Sequence, residues 1–238
     1  MKISTICFIF SVLLLSAVSL RASGTVRKII NFDSAWKFYL GNLPDLQDPS
    51  FKDSNWRHLD LPHDWSIEGE FSEKNPATPS GGALPGGIGW YRKSFTLPEK
   101  EKTKSVFIDF DGVYKNSEVW INGNYLGKRP YGYSSFRYEL SPYLNFGTKV
   151  NVIAVKVDNS AQPNSRWYSG SGIYRNVWLV ITNKVFVDHW GTSVTTPEVT
   201  ETSAKINIKT KISNRSSKAQ IATLTTILLN PVGRTVAH

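Results

Sequence analysis

Apolar and polar residues alternate with a period of two along most of this chain, in short runs closed by Gly, Pro, Asn or Asp. β-branched and aromatic residues fill these runs, which predicts strands at residues 28–32, 37–40, 58–61, 90–97, 105–111, 117–121, 125–128, 135–139, 150–157 and 174–182. The clearest is the pair around Asn122-Gly123, where Val119 and Ile121 enter the strongest short hairpin signal and Tyr125-Leu126-Gly127 leaves it. No stretch carries a long helical period. Ser141-Pro142-Tyr143-Leu144 predicts one short turn of helix, with Ser as cap and Pro at the first helical position. Many strands without interleaved helices predict an all-β protein, a β-sandwich of jelly-roll type over residues 24–183.

The pattern changes at Asn183-Lys184, and after Trp190 aromatic residues cease. Three further strands are predicted at 185–194, 204–213 and 219–229, with a turn starting at Val232-Gly233. Residues 205–212 alternate Lys or Asn with Ile or Thr, so one face is built for burial. An immunoglobulin-like sandwich needs roughly seven strands in about 100 residues. Residues 184–238 are therefore expected to be an incomplete immunoglobulin-like sandwich, and the chain a fragment of something longer.

The first residues add an address. Lys2 precedes an apolar run at 3–18, followed by small residues at Ala17, Ser19, Ala22 and Ser23. This is the layout of a signal peptide over 1–23, so the expected location is periplasmic or extracellular, with no membrane association once the leader is removed. The single cysteine, Cys7, lies inside it, which leaves the mature chain without disulfides, thiolate metal sites or a cysteine nucleophile. Stability must then come from a core that eight Trp, ten Tyr and twelve Phe make aromatic-rich. The net charge of +9 is scattered over loops and one strand face rather than gathered between aromatics, so a nucleic-acid partner is not expected.

Three segments hold candidate chemistry. The loop at 61–89 runs from Pro62-His63-Asp64-Trp65 to Trp90-Tyr91-Arg92 and is rich in Gly, Pro and Ser. Aromatic rings beside a carboxylate or guanidinium suit a sugar, whose C–H face stacks while its hydroxyls are bonded bidentately. Trp65 and Trp90 can equally be core residues beneath a capping loop. The segment 159–177 places Arg166-Trp167-Tyr168 before a Ser-Gly-Ser-Gly turn, whose glycines let the backbone pass close to a ligand or a neighbouring segment. Asp109 and Asp111 share one strand face, near enough in principle for a retaining carboxylate pair at about 5–5.5 Å, although a solvent-facing pair is the commoner arrangement. His58, His63 and His189 lack metal-ligand spacing, and nothing points to a nucleotide or other cofactor.

Taken together, FDGVYKNSEVWINGNYLGKRPYGYSSFRYEL, LPHDW before a long loop, GWYRKSF after it, VIAVKVDN and SRWYSGSGIYRNVWL resemble family 2 glycoside hydrolases, particularly bacterial β-galactosidases. The resemblance covers about residues 30–183 and implies a galactose-binding-like jelly roll, with 184–238 as the start of the immunoglobulin-like domain that follows. It implies two catalytic glutamates on a (β/α)8 barrel further on, a partner for which this chain has no matching segment; no catalytic residue is assigned here. It also implies that jelly-roll loops help shape the subsite for an oligosaccharide or β-galactoside. By that likeness Asp64 and Arg166 contact hydroxyls or a carboxylate, and Trp167 and Tyr168 form walls. Asn164 stands with Arg166 where some β-galactosidases place an aspartate. A free-standing carbohydrate-binding module or lectin would use the same loops.

Overall fold

In the computed structural model, which describes residues 27–237, fourteen strands are joined by loops and short 3-10 turns. The leader at 1–23 lies outside the described residues. No helix among the described residues is long and apolar enough to cross a membrane.

Ten strands form a sandwich of two antiparallel sheets: β1 (Arg27–Asn31), β2 (Trp36–Leu40), β3 (Arg57–Leu59), β4 (Gly87–Phe95), β5 (Ser105–Phe110), β6 (Ser117–Ile121), β7 (Asn124–Arg129), β8 (Phe136–Glu139), β9 (Asn151–Asn159) and β10 (Val177–Thr182). One sheet has the order β1-β10-β5-β8, the other β3-β2-β4-β9-β6-β7. Each of the ten expected strands is present, displaced by three residues at most. Alternation along them supplies the core: Val106, Ile108 and Phe110 of β5 and Leu179 and Ile181 of β10 face Trp36, Tyr91, Val119, Ile121, Ile153 and Val155 of the opposing sheet. Each such side chain, withdrawn from water, contributes about 1.5–3 kcal/mol. At the β6–β7 turn Asn122 and Gly123 have φ of 49° and 78°, the backbone that a two-residue hairpin requires. Ser141–Tyr143 is a 3-10 turn containing Pro142, but Ser141 does not cap it. Its Oγ instead accepts a bond from the Val106 amide at 2.9 Å, tying the turn to β5.

β4 is buried on both faces, because the segment between β2 and β3 folds over the outside of the larger sheet. There Trp90 stacks on Trp120 with ring centroids 5.3 Å apart. Arg92 is 1 % exposed, yet its guanidinium is matched: Nε donates to Asp53 at 2.8 Å, and one terminal nitrogen donates to the carbonyls of Leu46 and Asp48 at 2.6 and 3.0 Å. Asp109 likewise takes a bidentate bond from Arg137 at 2.5 and 2.6 Å, and Asp111 accepts from the Trp178 indole at 2.9 Å. These two carboxylates are occupied by protein donors.

Beyond the sandwich, β11 (Val185–Val199) and β12 (Ala204–Asn214) make a long hairpin. The strand expected at 219–229 shrinks to β13 (Leu228–Leu229), which pairs with β14 (Thr235–Ala237) around the Val232-Gly233 turn. Strand preference is largely a matter of neighbours to pair and pack against. Residues 219–227 have none here, and Ile221 and Ile227 are exposed.

Replacing Arg92 by Ala removes the donor to two buried carbonyls and one carboxylate, so a loss of about 3 kcal/mol is expected in urea unfolding. Arg92→Lys, which cannot reproduce the fork, should recover less than half of it.

Candidate functional site

The strand pairings gather four connections at one end of the sandwich. Gly87 pairs with Asn159, Phe110 with Val177 and Phe136, and Ser117 with Arg129. The loops after β3, β5, β7 and β9 therefore lie side by side. The two informative sequence segments, 61–86 and 160–176, belong to this group.

Asp64 joins them. Its Oδ1 accepts from the amides of Ser66 at 2.9 Å and Ser171 at 2.7 Å, and its Oδ2 accepts from the Tyr168 hydroxyl. The carboxylate expected to meet a sugar hydroxyl thus meets three protein donors. Burial and this neighbouring charge push the Tyr168 phenol well above its ordinary pKa, so it stays protonated and donating. Gly170, at φ +72°, allows the contact, since a Cβ there would stand 2.6 Å from Asp64 Oδ2. The close neighbour that this glycine serves is the Pro62-His63-Asp64-Trp65 segment.

A buried relay runs beside it. Asn164 Nδ2 donates to Asn159 Oδ1 at 2.6 Å and Asn159 Nδ2 to Ser171 Oγ at 2.7 Å, while the Ser66 hydroxyl is shared between Ser171 Oγ at 2.7 Å and the Pro85 carbonyl at 2.6 Å. Asn164 Oδ1 accepts from Tyr114 at 3.2 Å. Every group in the chain is satisfied, which stiffens the loops without a disulfide.

His63 sits behind this assembly. Arg57 approaches its Nε2 at 2.7 Å and can only donate, so Nε2 accepts and the ring proton is on Nδ1, 2.7 Å from the Tyr91 hydroxyl. Burial holds the His63 pKa below its ordinary 6.5, against the pull of Glu68. Trp65 is buried at 3 % exposure and stacks with Phe38, while Trp90 belongs to the outer core cluster. Both tryptophans at the mouths of the first loop are core residues.

Exposed Tyr131, Tyr133 and Trp167 lie at the other edge of the loop group, beside buried Tyr114. Tyr114, Tyr131, Tyr133 and Trp167, with Pro130, Asn164 and Ser165, line a cleft of about 290 Å³. Tyr114 and Tyr131 both pack on Tyr133, with centroids 5.2 and 5.7 Å apart, and the Trp167 indole donates to the Tyr133 hydroxyl at 3.3 Å. Of the residues expected at the site, Asn164 and Trp167 line this cleft, Tyr168 turns to Asp64, and Arg166 is exposed between them. Residue-by-residue reading did not single out Tyr114, Tyr131 or Tyr133. Their signal is the run Arg-Pro-Tyr-Gly-Tyr, with two tyrosines around a glycine just after a strand. Among the described residues, no group of three or more His, Cys, Asp or Glu is placed to hold a metal ion.

The fold and these loops define a two-sheet β-sandwich with an aromatic cleft at one end. Residues 31–183 match the family described as glycosyl hydrolases family 2, sugar binding domain, and the chain belongs to that family. It is similar to the β-galactosidase BoGH2A of Bacteroides ovatus, 51% identical over 224 residues, covering 94% of this chain and 26% of that protein. A putative β-glucuronidase of Formosa agariphila is 45% identical over 76% of this chain and 17% of its own length. Among solved structures, a β-glycosidase from Bacteroides vulgatus superposes with a TM-score of 0.76 at 48% identity, covering 80% of this chain and 25% of that one. The chain thus spans between about a sixth and a quarter of the length of these relatives.

Asp64→Ala strands two amides and a phenol, and a loss of about 2–4 kcal/mol is expected in thermal or urea unfolding. Asp64→Asn, which can still accept from both amides, should cost less than half as much. His63 supplies a second expectation. A group with a depressed folded pKa contributes stability that fades as pH falls through that value, because the unfolded chain takes up the proton first. Stability should therefore decline below pH 6.5, and His63→Gln should flatten the slope between 6.5 and 5.

Proposed function

We propose that this chain is the sugar-binding portion of an exported β-galactosidase-type enzyme that hydrolyses terminal β-galactosides of oligosaccharides. The observation that carries this reading is the match of residues 31–183 to the family's sugar-binding domain, together with 51% identity to a β-galactosidase along 94% of the chain. In this reading the acid/base and nucleophilic carboxylates come from a (β/α)8 barrel of the whole protein, and the reaction is a double displacement between them. The loop group around Asp64 and the aromatic cleft provides sugar contacts and holds them in place. Arg166, Trp167 and Tyr168 are the contacts assigned by family likeness, with Asp64 and Asn164 fixing the loop that carries them. The hairpin β11–β12 begins an immunoglobulin-like domain, with Ile206, Ile208 and Ile212 on the face such a domain would bury. The apolar run behind Lys2 serves as the export signal, directing the protein to the periplasm or the medium.

A β-glucuronidase of known structure superposes on this chain with a TM-score of 0.74 at 30% identity, so the terminal sugar is the point that needs measurement. The purified 238-residue chain should leave aryl β-galactosides intact. Joined to the remainder of its enzyme, it should support hydrolysis of the β-galactoside faster than of the β-glucuronide. Arg166→Ala in that full-length enzyme should raise KM about tenfold or more, a loss near 1.4 kcal/mol. Faster cleavage of the glucuronide, or hydrolysis by the 238 residues alone, would count against the proposal.

A further inference from the structure

The cleft between Tyr114, Tyr131, Tyr133 and Trp167 has a charge pattern that neutral sugar binding does not require. Its one charged lining residue is Lys115, half-buried, and no acidic side chain lines it. Among the described residues the Lys115 ammonium has no ion-pair partner. Asp158, whose amide bonds to the Lys115 carbonyl at 3.0 Å, gives its carboxylate to the amide and hydroxyl of Ser160 at 3.0 and 2.6 Å. Arg166 stands between two lining residues, Ser165 and Trp167, exposed and likewise unpaired among the described residues. Three arginines of the sandwich are closely matched, Arg57 to Glu68, Arg92 to Asp53 and Arg137 to Asp109, all at 2.8 Å or less, while Arg129 and Arg175 lie outside the cleft lining without an ion pair among the described residues. Two unmatched cations therefore flank the most aromatic opening in the loop group.

The opening is also rigid. A Cβ on Gly132 would stand 2.2 Å from the Tyr114 ring, so only glycine lets this loop lie flat against it. The Tyr174 hydroxyl donates to the Gly132 carbonyl at 2.9 Å and pins the loop. Ring faces held in this way suit the C–H face of a pyranose at little ordering cost. An unpaired ammonium that is partly withdrawn from water gains from an incoming anion, and a free guanidinium can take a carboxylate or sulfate in a two-point bond.

We infer that this cleft takes an anionic sugar residue, one bearing a carboxylate or a sulfate, with Lys115 and Arg166 as its counter-charges. The inference rests on the sugar-binding reading above and narrows it. Single-stranded nucleic acid also combines anions with flat rings, but it needs a cationic track along its backbone. Two cations at one opening, in a chain whose remaining positive charge is dispersed, fit a single charged sugar better.

The test is titration calorimetry of the 238-residue chain at low salt with three disaccharide probes: one containing a uronate, one carrying a sulfate, and neutral lactose. At least one anionic probe should bind about tenfold or more tightly than lactose. That advantage should vanish near 1 M salt, where the screening length falls to about 3 Å. It should also vanish in the Lys115→Met/Arg166→Gln double variant, with the two anionic arms showing which charge is preferred. Trp167→Ala, at an exposed position whose loss leaves the core intact by circular dichroism, should weaken charged and neutral probes alike. Equal binding of charged and neutral sugars, or an advantage that survives in the double variant, overturns the inference and leaves the sugar-binding reading standing. Binding of no saccharide at all overturns the inference alone, because the sugar-binding reading is tested in the full-length enzyme; binding of an oligothymidylate more tightly than any saccharide overturns both.

Discussion

One carboxylate holds the functional end of this molecule together. Asp64 lies in the loop after β3, and the amide of Ser171 and the hydroxyl of Tyr168 reach it from the loop after β9, more than a hundred residues further along the chain. The two loops also meet through their backbones, where the His63 and Trp65 amides donate to the carbonyls of Ile173 and Ser171 at 2.8 and 3.0 Å. Asp64 adds side-chain bonds to this short run, and a charged acceptor makes hydrogen bonds roughly twice as strong as a neutral one. Gly170 follows from this arrangement, because any side chain there would enter the space that the carboxylate occupies. So does the protonated state of Tyr168, whose phenol is kept neutral by burial and by the anion it donates to.

The aromatic residues divide their labour by sheet face. Those at inward positions, such as Trp36, Tyr91 and Phe110, fill the core, while Trp90, Trp120 and Trp56 seal the outside of the larger sheet. A chain without disulfides requires that investment, since burial is its main source of stability. Three aromatics left in the open, Tyr131, Tyr133 and Trp167, belong to loops at one end and keep 45–64 % of their surface exposed. Exposed rings on ordered loops are poor at stabilising a fold and well suited to meeting a ligand.

Most of the sandwich could be read in advance because its strands are half-buried, and half-burial writes a period of two into the residues. The β6–β7 hairpin is the sharpest case, since Asn122-Gly123 encodes the turn, and so the register, by itself. The site was less legible, for a physical reason. Whether Trp65 is a sugar platform or a core residue depends on which face of the chain meets Phe38, a contact set by packing across 27 positions. The role of Asp64 depends on Ser171 and Tyr168, which only the fold brings near. Tyr131 and Tyr133 were visible as residues, but their convergence with Tyr114 and Trp167 depends on three separate connections lying side by side. At 219–227 the error ran the other way, because an alternating sequence promised a strand that has no neighbour to bond here.

The same reasoning explains why binding chemistry and rigidity are found together at this end. A loop that orders only when its ligand arrives must offset its own conformational entropy, about 1–2 kcal/mol for each residue fixed. Here the relay from Tyr114 through Asn164, Asn159, Ser171 and Ser66 to Pro85 has already ordered the connections that carry the cleft. Each link satisfies a polar group that would otherwise be buried without a partner, so the network stabilises the folded chain and shapes the cleft at once. A sugar, whose contacts are individually weak, gains most from a surface prepared in this way, because little of its binding energy is then consumed in building the site.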